Sequence, residues 1–350
     1  MPREIIEESN FGQTKDGKKV KRYTLSSDSG RLLVRIITYG GIITEVHVPD
    51  RNGKMADINL GYDDVAGYET YDPYIGALIG RVANRVSGGK FVLDGVTYNL
   101  PINDIKGLQN QVHGGKSGFC RQVWTSRIEG DKLILQYVSP DGEEGYPGEV
   151  ITTVTYRVTD DDELSIQYEA TTTKPTPVVL TNHAYFNLAG HDANTLDDHL
   201  VTIAADHYLP LKSYIPTGEI RSVEGTAYDL RKPVKLGERL PQVPGGEGFE
   251  TEMCLRPNPS GEPRFAARVE HPPTGRYCEC WTTEPGIVFY TSSVLNVPKA
   301  KGGATYRRFG ALSLEPQAYP DAVNQPSFPN TILRPGETYR QTTFYKFGVV

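Results

Sequence analysis

The 350-residue chain lacks any apolar run approaching the ~18 residues that span a bilayer. Its opening stretch, Met1-Pro2-Arg3-Glu4-Ile5-Ile6-Glu7-Glu8, is charged where a secretory leader would carry an apolar centre, so no leader is expected. Positive charge is not in excess: 37 Lys and Arg against 43 Asp and Glu give a formal net charge of −6. Phosphate backbones are bound by a basic face, so this balance argues against a nucleic-acid partner. Cysteine is scarce. Cys120, Cys254, Cys278 and Cys280 form no C-x-x-C pair, Cys278 and Cys280 would share one face of a strand, and no Asn-X-Ser/Thr acceptor occurs. Reduced, mostly buried thiols and a cytoplasmic location are the expectation, with neither membrane nor nucleic acid as partner.

Several sites of familiar chemistry are missing too. Gly114-Gly115-Lys116-Ser117 ends like a phosphate loop, but Asn110 stands where its first glycine belongs and no helix is predicted to follow. No G-x-G-x-x-G opens a strand–helix–strand unit, and neither G-x-S-x-G nor H-E-x-x-H occurs. His191, His199 and His207, with acidic residues between them, suggest metal ligation. Eight residues of strand would hold neighbouring histidines ~26 Å apart, too far to share an ion, so no metal and no cofactor is expected.

Helical periodicity is also absent. No segment carries apolar residues at i, i+3, i+4, i+7 over a useful length, and 36 glycines and 25 prolines punctuate the chain throughout. Period-2 alternation takes its place. Val150, Val154, Tyr156 and Val158 alternate with polar neighbours, and after Asp160-Asp161-Asp162-Glu163 the set Leu164, Ile166, Tyr168, Ala170 does the same, which predicts a hairpin. Phe91-Val92-Leu93 and Val96-Thr97-Tyr98 flank Asp94-Gly95, the signature of a tight hairpin turn. Further strands are predicted at 32–39, 42–48, 133–138, 276–283, 287–294 and 339–347. With neither linker nor repeat, the reading is one all-β domain over residues 1–350, a large antiparallel β-sandwich with little helix.

Polar clusters interrupt this pattern. Gly80-Arg81-Val82-Ala83-Asn84-Arg85 sets an amide beside a guanidinium, although two arginines four apart usually mark a solvated face. Val112-His113-Gly114-Gly115 offers an imidazole on a loop whose glycines allow close backbone approach. Thr181-Asn182-His183-Ala184-Tyr185-Phe186-Asn187 packs polar and aromatic groups at a density that is costly to bury without function. Leu312-Ser313-Leu314-Glu315-Pro316 ends an alternating run on a carboxylate, and Tyr319-Pro320-Asp321-Ala322-Val323-Asn324-Gln325-Pro326 is a turn-rich connection. This inventory suits a neutral, hydroxyl-rich ligand and acid/base chemistry at one carbon.

Taken together, these strings, with Asp141-Gly142-Glu143-Glu144-Gly145-Tyr146-Pro147-Gly148, resemble the aldose 1-epimerase (galactose mutarotase) family, in family order and over nearly the whole chain. The ten residues from Thr181 to Gly190 are the most specific. The resemblance implies a β-supersandwich and a monomer or weak dimer acting on free galactose or glucose. It implies that His183 is the general acid toward the ring oxygen and Glu315 the base toward the anomeric hydroxyl. Asn84, Arg85 and His113 would hold the sugar, and Tyr185 would line the pocket. Ring opening, rotation about C1–C2 and reclosure then give the other anomer. Near neutrality Glu315 would be ionised and His183 able to carry a proton.

The chain departs from the family at Glu250, where an Asp that binds sugar hydroxyls is usual, and at Val288, where some relatives place Gln. A hexose-6-phosphate 1-epimerase would need a basic cluster beyond Arg81 and Arg85, a silent sugar-binding protein would need no acid/base pair, and a lyase or hydrolase would need a second acidic partner.

Overall fold

A computed structural model describes residues 6–70 and 74–350; the first five residues of the charged opening stretch lie outside them. The expected alternation becomes antiparallel sheet. Val150–Val158 pairs with Glu163–Thr172, with Val154 opposite Tyr168. Lys90–Leu93 pairs with Val96–Asn99 through Asp94 and Gly95, both at positive φ as a tight turn requires. The strands foreseen at 133–138, 276–283 and 339–347 are Lys132–Ser139, Arg276–Thr282 and Tyr339–Val349. The one foreseen at 287–294 stops at Tyr290, because Ser292, with φ of 50°, starts a turn closed by the Leu295 N–H on its carbonyl at 3.1 Å.

Three sheets carry the fold. One of nine strands runs from Thr125–Glu129 through the Val150–Thr172 hairpin and Tyr339–Val349 to Val234–Lys235. A five-stranded N-terminal sheet begins at Ile6–Gln13. The third, also of five strands, is ordered Arg221–Ser222, Ala205–Tyr208, Glu250–Leu255, Gly286–Tyr290, Ser313–Gln317. Among the described residues the only α-helices are Val65–Thr70 and Leu236–Arg239.

Period 2 explains why the third sheet can build a site. Met253, Ile287, Phe289 and Leu314 point one way and join Tyr156, Ile166, Tyr168 and Tyr345 of the nine-stranded sheet in one buried cluster. Each such side chain contributes about 1.5–3 kcal/mol by leaving water. Tyr345 also donates to the Leu314 carbonyl at 2.8 Å, tying the layers together. The intervening residues must then face the other way. These are Glu250 and Glu252, Val288 and Tyr290, Ser313 and Glu315. Anchored on one side by a core, the strands present their polar residues on the other.

Candidate active site

His183 follows the short strand Thr181–Asn182, which pairs with Leu78–Ile79. The His183 N–H donates to the Ala77 carbonyl at 2.9 Å, and its own carbonyl accepts from Gly76 N–H at 2.8 Å. Three residues on, Phe186 and Leu312 exchange both backbone hydrogen bonds at 2.8 and 2.9 Å, which registers this segment against Ser313–Gln317. His183 Nε2 therefore stands 3.5 Å from Glu315 Oε1, with both side chains buried. Ser313 Oγ lies 3.4 Å from His183 Nδ1, and the Tyr185 ring stacks on the imidazole with centroids 4.8 Å apart.

A second imidazole meets the first. Arg85–Val86 pairs with Gln111–Val112, which brings Asn84 against His113. Asn84 N–H donates to His113 Nδ1 at 3.2 Å, leaving Nε2 as the N–H of a neutral ring, 5.3 Å between centroids from His183. Asn84 and His113 both adopt positive φ. The next residue has to be glycine: a Cβ on Gly114 would lie 1.9 Å from the Gly80 carbonyl oxygen. Glu144 braces this loop by accepting from the N–H groups of Lys116 and Ser117 at 3.0 and 2.8 Å. That gives the Asp141–Gly148 string a supporting task.

These groups line one cavity of about 650 Å³. Asn84, Arg85, His113, His183, Tyr185, Glu250 and Glu315, all singled out in the sequence, open into it, although they come from five separate stretches of chain. Residues the sequence did not flag join them: Asp104, Lys106, Tyr74 and Tyr290. Nothing local marks Asp104 or Lys106 as more than parts of a polar turn. Arg85 bridges to Asp104 through Nε at 3.0 Å and to Glu250 through Nη1 at 2.8 Å, and Lys106 Nζ takes the other Glu250 oxygen at 2.8 Å. The Tyr214 ring lies over both cations, 3.3 Å from Lys106 Nζ.

Two expectations are corrected here. The arginines of Gly80–Arg85 do not form a solvated face. Arg81 is 2% exposed and is spent on the carbonyls of Ser139, Pro140 and Pro147 and on Ser139 Oγ, while Arg85 is buried in its ion pairs, because the surrounding turns cover both. The simple charge assignment also changes. Burial lowers His183 to about 3. Burial, with the Glu250 charge adding to it, pushes Glu315 well above the carboxylate range against the pull of Arg85. The two shifts run in opposite senses and favour a neutral His183 beside a protonated Glu315.

His191 Nδ1 lies 3.3 Å from the Tyr306 hydroxyl. His199 Nε2 accepts from Leu188 N–H at 3.0 Å and its ring packs on His271. Among the described residues Glu45, His47 and Asp57 form a ligand-like group, but Arg35 and Lys301 already neutralise its carboxylates.

The antiparallel sheets build a galactose mutarotase-like fold. The chain belongs to the aldose 1-epimerase family, whose model matches residues 21–346. It is 48% identical to the galactose mutarotase of Rattus norvegicus over 342 residues, covering 97% of each chain. It is 33% identical to the aldose 1-epimerase of Escherichia coli K12, over 95% of this chain and 96% of that one. A solved GalM/aldose epimerase homologue from C. elegans superposes with a TM-score of 0.83 at 30% identity, covering 91% of this chain and 96% of its own.

Proposed function

We propose that the protein interconverts the α and β anomers of free aldohexoses, galactose and glucose among them, with Glu315 as base and His183 as acid. The observation that carries this reading is the 3.5 Å approach of His183 Nε2 to Glu315 Oε1 inside a polar cavity. An anomeric hydroxyl and its ring oxygen sit on one carbon, so an acid and a base a few ångströms apart can serve both at once. Glu315 Oε2 has no hydrogen-bond partner among the described residues. Sugar hydroxyls entering the cavity supply partners for the anion, and Arg85 favours it. Binding thus moves the shared proton toward His183, which delivers it to the ring oxygen while Glu315 takes the anomeric proton. The ring opens, C1–C2 rotates, and closure runs the two transfers backwards, which returns both groups to their starting state. His113 Nε2–H and the free Arg85 donors orient the sugar and meet charge developing on its oxygens.

Neutral sugars fit better than phosphorylated ones, because the cavity's cations, Arg85 and Lys106, are already neutralised by Asp104 and Glu250. The remaining proposals are a single domain, a cytoplasmic location and a monomer or weak dimer. A core drawing on residues from Ile6 to Phe347 supports the first. Four buried free thiols support the second. No helix among the described residues is long and apolar enough to cross a membrane. The test is polarimetry on fresh α-galactose and α-glucose. Acceleration by catalytic amounts of protein is expected, and no acceleration of either sugar would sink the reading.

A further inference from the structure

Cross-strand register sets six residues of the third sheet in a two-by-three grid. Glu250 lies opposite Tyr290 and Tyr290 opposite Ser313; Glu252 lies opposite Val288 and Val288 opposite Glu315. All six point to the cavity face. Glu250, Tyr290, Val288 and Glu315 line the cavity, and Ser313 contacts His183. Glu252 completes the grid, two strand spacings or about 9–10 Å of backbone from Glu315.

Glu252 is 2% exposed, and neither of its carboxyl oxygens has a hydrogen-bond partner among the described residues. Leaving such a group unsatisfied carries its full desolvation penalty, so its retention calls for a reason. The carboxyl packs directly on Gly286, where an added Cβ would stand 1.8 Å from Glu252 Oε1. It opens on a side cavity of about 250 Å³ bordered by Asn84, Arg85, Glu250, Val288 and Tyr214. Asn84, Arg85, Glu250 and Val288 also border the main cavity, so the two spaces share a wall.

We infer that Glu252 is a specificity-determining residue of the aldose site, its carboxyl receiving a sugar hydroxyl remote from the anomeric carbon, in the side cavity behind Val288. The inference rests on the proposed anomer chemistry, because it takes C1 to lie at His183 and Glu315. A neutral polyol is the ligand that fits. Burial, with the Glu315 and Glu284 carboxyls adding to it, keeps Glu252 protonated, so it offers both a donor and an acceptor to a hydroxyl and would repel nothing uncharged.

The experiment measures kcat and KM by polarimetry for galactose and for analogues lacking one hydroxyl at C3, C4 or C6. Wild-type acceleration of galactose is read first, since its absence ends the parent reading without bearing on Glu252. Glu252→Leu is expected to raise KM for galactose about tenfold with kcat within about twofold. For one deoxy analogue the wild type should already show that loss and the variant should add nothing to it. Glu252→Gln, which keeps a donor and an acceptor, should restore KM to within about threefold. Glu252→Met serves in place of Leu if the latter fails to fold. An equal change across every sugar, or no change in KM at all, overturns the inference.

Discussion

Ser313 and Glu315, two residues apart on one strand, address opposite nitrogens of a single imidazole: Ser313 Oγ at 3.4 Å from His183 Nδ1, Glu315 Oε1 at 3.5 Å from Nε2. Because alternate residues of a strand share a face, one element fixes both the ring's orientation and its proton partner. Stacked on Tyr185, the ring has little freedom left.

The pair is expected to act as a unit. His183→Ala and Glu315→Gln should each lower kcat for galactose by about 10²–10⁴-fold, and the double variant should lose little more than the worse single one. Polarimetry checks the rates and circular dichroism the fold. Near-wild-type turnover in either single variant is incompatible with the assigned roles.

Arg85 is expected to join stability to binding. Its removal leaves Asp104, whose side chain is 0% exposed, with hydrogen bonds from Asn110 and the Lys106 N–H but no compensating charge. Arg85→Met should cost about 3 kcal/mol in urea unfolding and also raise KM for galactose. Arg85→Lys cannot span Asp104 and Glu250 with one ammonium and should fall between. Unchanged stability in the Met variant would show that the ion pairs are idle.

Buried titrating groups set the pH range of the fold. Burial lowers His183 and His199 to about 3, and His113 well below its usual range. As pH falls below about 6.5 the unfolded chain therefore binds protons the folded one refuses, and stability drops by on the order of 1.4 kcal/mol per pH unit for each. The acids run the other way. Burial raises Glu252 and Glu315 well above, and Glu284 to about 8 from 4.5, so above about pH 4.5 the unfolded chain has released protons the folded one keeps. Their contribution falls as pH rises. The two sets oppose each other between about pH 4.5 and 6.5 and only the acids act above it. Thermal melts should give the highest Tm within that interval and a decline from pH 6.5 to 8, which Glu284→Gln should lessen. A Tm that climbs across pH 6.5 to 8 contradicts this.

Gly114→Ala tests the loop behind His113. With φ of 81° and a carbonyl oxygen 1.9 Å from the new Cβ, the substitution must displace the Gly80 or His113 backbone. Both a lower Tm and a loss of kcat are expected, whereas Gly95→Ala, where no atom lies within 4 Å, should leave kcat unchanged.

Much was readable along the chain, since strand formation rests on short-range alternation that a single segment carries. The Val150–Thr172 pairing, the Asp94-Gly95 turn and the all-β architecture followed from it, and the strings around Asn84, His113, His183 and Glu315 supplied candidate residues that share one cavity. What only the tertiary structure decided depends on which distant segments meet. Arg81 and Arg85 look alike in sequence, yet one is consumed by three carbonyls and the other by two carboxylates. Asp104 and Lys106 gained importance by lying next to Arg85 and Glu250, and Glu252 by finishing a row of three strands. The opposite shifts of His183 and Glu315 were set the same way, because the cost of a charge depends on how much water the rest of the fold removes from around it.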